Sequence, residues 1–237
     1  MVQLASGGGE PASPGRRERK KQATRAALRE AALRLALRHG VENVTVEQIA
    51  GEADIALRTF FNYFSSKEEA VVASLAAAAQ ELVARFRARP RTEPVLRAFR
   101  AAVLTVMNES EAAGRDHVRA LQLVRSAPTL VPQQLAVLAA QEQALAEAIA
   151  EHIGHPAPGR PGDTGYPLLC AAAALTALRV VLDQWLRQTA ASAGPPDTAL
   201  LGRRIDTAID QLTAGLDHPG HPPHLGHPGP ARRPAAS

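Results

Sequence analysis

Cysteine and aromatic side chains are scarce in this chain. Cys170 is the single cysteine among 237 residues, so no internal disulfide can form and a reducing compartment is expected. Aromatics make up 3% of the residues although hydrophobic residues reach 46%, many of them alanine. Such a core suits helices packed at close range better than a sheet of aromatic and β-branched strands. No stretch alternates β-branched and polar residues as a strand would. A Gly-rich phosphate loop, an HExxH pair and a nucleophile elbow are also missing, which argues against an enzyme, and no cofactor is expected. Met1 to Gly15 is rich in Gly, Pro and Ser and lacks the apolar run of a secretory leader. The most apolar stretch, Leu168 to Leu186, carries Arg179 and Asp183 one helical turn apart, which makes it a poor membrane span. The expectation is an all-α, cytoplasmic protein.

Charge is present but unevenly placed. Net charge is +4, yet Arg16 to Lys67 holds 11 Lys/Arg against 6 Asp/Glu, while the remainder holds 16 against 17. The positive excess lies in the segment that carries most of the most structured-looking stretch, Thr45 to Val71, TVEQIAGEADIALRTFFNYFSSKEEAV. Thr45 and Gln48 have capping-box spacing, which predicts a short helix over about Val46 to Glu52. Ala53-Asp54-Ile55 follows as a turn, with Asp54 a candidate cap for the next helix. A second short helix, about Ala56 to Tyr63, carries Arg58, Thr59, Asn62 and Tyr63 among Phe60, Phe61 and Phe64. A helix so short must be held by its neighbours. Held rigidly, with polar side chains outward, it suits the major groove of DNA. Ser66 and Glu69 have the spacing of a second capping box at the start of a longer helix.

These residues resemble the helix-turn-helix of the TetR family of bacterial transcriptional regulators over about Thr24 to Val71. The shared pattern is TVEQIA, a turn, then TFFNYF and SKEE. Asp54 stands where a glycine is common, and Ala56 where a serine often caps the recognition helix. The resemblance implies a homodimeric, effector-released repressor that binds a palindromic operator in double-stranded DNA. It also implies a helix-turn-helix head over 16–66 and an effector-binding and dimerisation body over 67–217. Flanking tails, 1–15 and 218–237, are expected to be disordered. The alternative is an all-α interaction protein whose basic head binds nucleic acid nonspecifically, or another acidic partner. The basic run Arg16 to Lys21 is equally an arm for the DNA backbone or minor groove and a solvated lead-in.

Periodicity places the remaining helices. The first runs from about Arg19 to His39, ended by Gly40 in a left-handed conformation. With Ala36 where the family often has a large aromatic, its small core leans on Phe60 and Phe64. Further helices are expected over about Lys67 to Arg89, Thr92 to Ser110, His117 to Ser126 and Val131 to Ile153. The last of these would turn Leu135, Leu138, Leu145 and Ile149 inward. The last two, about 167–189 and 196–217, are the expected dimer interface. The first of the pair is apolar over more than half its circumference and must be covered on two sides.

Candidate sites follow. Arg58 can address a guanine edge and Asn62 an adenine or a phosphate; Thr59, Phe61 and Tyr63 suit methyl, apolar or phosphate contacts, and Thr45 and Lys67 suit phosphates. The body is similar, more weakly, to a TetR subgroup associated with acyl-CoA-like ligands, which implies a small-molecule effector of that class. Phe99, Met107, Leu121 and Val124 would line its cavity and Arg125, with Arg119, would meet an anionic group; all could equally be ordinary core. His218, His221, His224 and His227 recur every third residue and could chelate a metal in a flexible tail, but no metal site is assigned.

Overall fold

A computed structural model describes residues 15–108, 121–124, 126–191 and 198–215, and every regular element among them is helical. The histidines of the C-terminal tail, Arg119 and Arg125 lie outside the described residues. The helix-favouring run of Arg, Ala and Leu forms α1, Arg16–His39, three residues earlier than the periodicity placed its start. Gly40 ends it with φ +80 and ψ 149, a positive-φ conformation that glycine tolerates, though extended rather than left-handed.

α2, Val46–Glu52, carries the expected capping box, with the Thr45 hydroxyl accepting from Gln48 N–H and the Gln48 amide oxygen accepting from Thr45 N–H. The turn after it is made differently from expectation. Asp54 caps nothing; it takes φ +55 itself, the conformation a glycine would hold at no cost. α3, Leu57–Phe60, has Ala56 at its N-cap and no side-chain cap at all. It is shorter than expected, and single-turn bonds from Asn62 to Thr59 and Tyr63 to Phe60 carry the backbone on.

α4, Lys67–Arg87, begins at Ser66, whose hydroxyl accepts from Glu69 N–H. Glu69 does not complete a box with Ser66. Its carboxylate reaches one residue further back, accepting from both the N–H and the hydroxyl of Ser65 at 2.7 Å. α5 is Val95–Asn108, α6 Val131–Ile153, α7 Tyr166–Ala191 and α8 Thr198–Ala214. α6 ends at Gly154 in the left-handed region, φ +69 and ψ 28.

Two cores result. In the head, α1, α2, α3 and the first turns of α4 enclose Leu28, Ala32, Ala36, Ile49, Phe60, Phe64 and Val71. In the body, Phe86, Phe99, Leu145, Ile149, Trp185 and Ile205 pack among α4 to α8. α4 spans both. Val124 and Leu130, on the chain between α5 and α6, belong to the head core, and Leu121 touches both cores. Cross-links follow the same routes: Glu52 accepts from Arg34 and Arg38 of α1, Thr129 donates to Glu42 at 2.8 Å, Arg87 pairs with Glu151, and Arg100 with Asp206. Arg38 first, then Arg34, hold the Glu52 carboxyl below its ordinary range.

On α6, Leu145 and Ile149 are fully buried as expected, Leu138 is half-buried, and Leu135 is 61% exposed instead of facing inward. The stretch Tyr166–Gln188 of α7 is long and apolar enough to cross a membrane by length and composition, with mean hydropathy 1.5. In this fold its Ala171, Ala174, Val181, Trp185 and Leu186 pack into the body core. Its other side leaves Leu168, Leu169 and Val180 exposed, so one face of the helix is covered and the second is open.

Asp54 offers a direct test of the turn. Asp54→Gly is expected to hold or raise the melting temperature, and Asp54→Val to lower stability by about 1–2 kcal/mol. Thermal melting decides, and a valine variant as stable as the parent would show that the positive φ carries no cost.

Candidate nucleic-acid interface

The presented surface of the head is built around α3. Burying Phe60 and Phe64 completely fixes the helix from beneath, with the two rings 5.8 Å apart. Arg25 of α1 lies over Phe64 at 5.2 Å, tying the base of α3 to α1 through a cation–π contact. With Phe60 inward, Leu57, Arg58, Phe61 and Asn62 are exposed, while Thr59 and Tyr63 are half-buried. Tyr63 packs against the head core. The guanidinium of Arg58 makes no hydrogen bond or ion pair among the described residues, and the side-chain amide of Asn62 is equally free. Two polar groups capable of bidentate hydrogen bonding therefore face outward from a rigid base.

Thr45 and Lys67 are placed differently. Thr45 is exposed, but its hydroxyl already accepts from Gln48 N–H. Glu47 beside it has a carboxyl held below its ordinary range by its own backbone N–H and then by the Thr45 hydroxyl. Lys67 points inward. Its ammonium donates to the carbonyls of Val41 at 3.0 Å, Glu42 at 3.3 Å and Val44 at 2.9 Å, using all three N–H groups. It locks the start of α4 to the α1–α2 connection, a role that charge and position in the sequence did not disclose. Leu57 also went unremarked in the sequence, where a single leucine looks like core.

The described residues expected to line an effector site are scattered. Phe99 is buried in the body core and Met107 is packed against it, Leu121 bridges the two cores, and Val124 is buried in the head core. None of them borders a cleft of about 480 Å³ that runs along α4 against α6. Its walls are mainly alanine and valine, with Arg25, Ser66 and Gln133 at the head end and Gln80 and Gln141 further along. The side-chain oxygen of Gln133 is buried and has no partner among the described residues.

Comparison with known proteins places this geometry. Residues 28–73 match the family model described as bacterial regulatory proteins, tetR family, and residues 93–217 match the model of the MftR C-terminal domain. The chain is 33% identical over 213 residues to the HTH-type transcriptional regulator TcmR of Streptomyces glaucescens, covering 87% of this chain and 90% of that protein. This chain belongs to the TetR family. It is a DNA-binding transcriptional regulator with an N-terminal helix-turn-helix. Its fold is similar to that of the fatty acid degradation regulator FadR from Bacillus halodurans, with a TM-score of 0.53 at 18% identity over 83% of this chain and 97% of that one. It is similar also to SmeT in complex with triclosan, with a TM-score of 0.53 at 20% identity over 89% and 100%. At those identities the likeness is one of fold.

For this TetR-family regulator, Lys67→Met separates a structural lysine from a phosphate contact. Losing the ammonium leaves three carbonyls short of a donor, and the head is expected to lose about 1–3 kcal/mol of stability. Denaturant unfolding without DNA measures it, and an unchanged midpoint would return Lys67 to a purely DNA-facing role.

Proposed function

We propose that the protein is a cytoplasmic, homodimeric repressor that reads a palindromic operator through α3 and leaves it when a small molecule enters the body. What supports the reading most is the pair of unpartnered polar side chains, Arg58 and Asn62, outward on a helix whose base is buried. Arg58 would address a guanine edge and Asn62 an adenine edge or a phosphate, with Thr45, Thr59 and Tyr63 near the backbone and Phe61 making apolar contact. Lys67 would act on DNA binding by positioning α4 against the head. The domain limits that fit are 16–66 for the head and 67–217 for the body.

One recognition helix contacts few bases, so a two-fold pair is what a specific operator requires. The open face of α7, with Leu168, Leu169 and Val180, supports pairing through α7 and α8, since a helix apolar on two sides gains by covering both. The cleft between α4 and α6 is the effector site we favour over the residues expected from sequence. Its volume lies within the range of about 300–1,000 Å³ common for small-molecule pockets. An acyl-CoA-like effector fits in part: an acyl chain would lie over the alanines, while the nucleotide would remain outside. A ligand can release the operator only if it binds the DNA-free state more tightly, so operator must weaken ligand by the same factor.

Selection of bound duplexes from a random pool at physiological salt tests the DNA reading. Two inverted half-sites are expected. Salt-sensitive binding with no enriched sequence would favour a nonspecific basic surface instead. The effector site is tested with Ala76→Phe, which fills the cleft from α4. That variant is expected to keep operator affinity while becoming at least ten-fold less responsive to a long-chain acyl-CoA or its free fatty acid, on the order of the loss from blocking one apolar contact surface. Fluorescence anisotropy of labelled operator follows both, and an unchanged response to effectors that release the parent protein would move the site elsewhere.

A further inference from the structure

We infer that Leu57 and Phe61 together read thymine methyl groups in the operator, an inference that rests on the operator-reading role of α3. Leu57 is 40% exposed and Phe61 57% exposed. They stand four residues apart on continuous helical backbone: α3 spans Leu57–Phe60, and Phe61 keeps φ −66 and ψ −11. Side chains at that spacing lie one above the other on one face. The polar pair Arg58 and Asn62 has the same spacing one residue on. The outward side of α3 therefore carries an apolar stripe beside a hydrogen-bonding stripe.

Neither Leu57 nor Phe61 can bond a phosphate, because neither has a polar side-chain atom. On base edges in the major groove the apolar group on offer is the C5-methyl, carried by thymine and not by cytosine, adenine or guanine. Water must leave both apolar surfaces when the helix enters the groove, and the release is favourable where a methyl takes its place. Phe61 is also fixed in space. Its ring stands edge-on to the fully buried Phe60, with centroids 5.4 Å apart and planes at 84°. A ring held that way meets a methyl at one position in the half-site, next to the base pair addressed by Arg58, and not wherever the chain happens to reach.

Deoxyuridine tests this, since it removes the methyl of thymine and keeps every hydrogen-bonding group. Each thymine of a selected operator is replaced singly in turn, and the affinity of the full-length protein is measured. One or two symmetric positions per half-site are expected to lose roughly four-fold per methyl, the effect of withdrawing one methyl from apolar contact. At those positions the same replacement should cost nothing further in Phe61→Ala or Leu57→Ala, whereas Arg58→Ala should keep the penalty. Thermal melting checks that the three variants, all altered at exposed positions, remain folded. Uniform tolerance of uridine, or a penalty unchanged in both alanine variants, overturns the inference while leaving operator reading intact. Failure to select any sequence would remove operator reading and the inference with it.

Discussion

Burial of Phe60 and Phe64 beneath α3 is the constraint from which the head's function follows. A helix of four residues has no stability of its own, because nucleation costs more than one turn of hydrogen bonds returns. Two aromatic side chains driven into a core otherwise made of alanine, leucine, valine and Ile49 supply what the backbone cannot. The same burial orients everything else. With Phe60 and Phe64 inward, the helical spacing turns Leu57, Arg58, Phe61 and Asn62 outward, and the surface proposed to meet DNA is the reverse side of the core. Ala36 is buried in the same core as Phe60 and Phe64.

Head and body are joined by more than α4. Among the described residues between α5 and α6, Val124 and Leu130 lie in the head core, and Thr129 bonds Glu42 on the α1–α2 connection. Lys67 grips the same connection from the other side through Val41, Glu42 and Val44. The α1–α2 connection is therefore held by the start of α4 and by the entry to α6 together. The cleft between α4 and α6 lies along the helices joined to those contacts, and packed side chains rather than a free hinge connect them to the head.

Much of this was legible from residues in order. Apolar spacing and glycine marked the helices, the Thr45–Gln48 box marked α2, and the aromatic run around Phe60 marked the recognition helix. The misses share a cause. Lys67 looked available because a lysine in sequence shows its charge and not its acceptors; the carbonyls it meets lie more than twenty residues away. Asp54 looked like a cap because its side chain can be one, whereas its backbone conformation was what the turn used. Phe99, Met107, Leu121 and Val124 were chosen as apolar, and apolar residues line cores and cavities alike. Leu135 follows the helix period and yet stays largely exposed, since period alone does not say how far the next helix extends.

The sequence by itself determined the helical class, the family and the identity of the residues on the recognition helix, because those depend on local propensity, short-range spacing and the pattern of buried side chains. Only the tertiary structure decided that the Lys67 ammonium turns onto the α1–α2 connection, that Val124 and Leu130 enter the head core, and that the open cleft follows α4 and α6. Each of these depends on which distant backbone or side-chain atoms meet, and such meetings are set by the packing of whole helices, which no local stretch of sequence encodes.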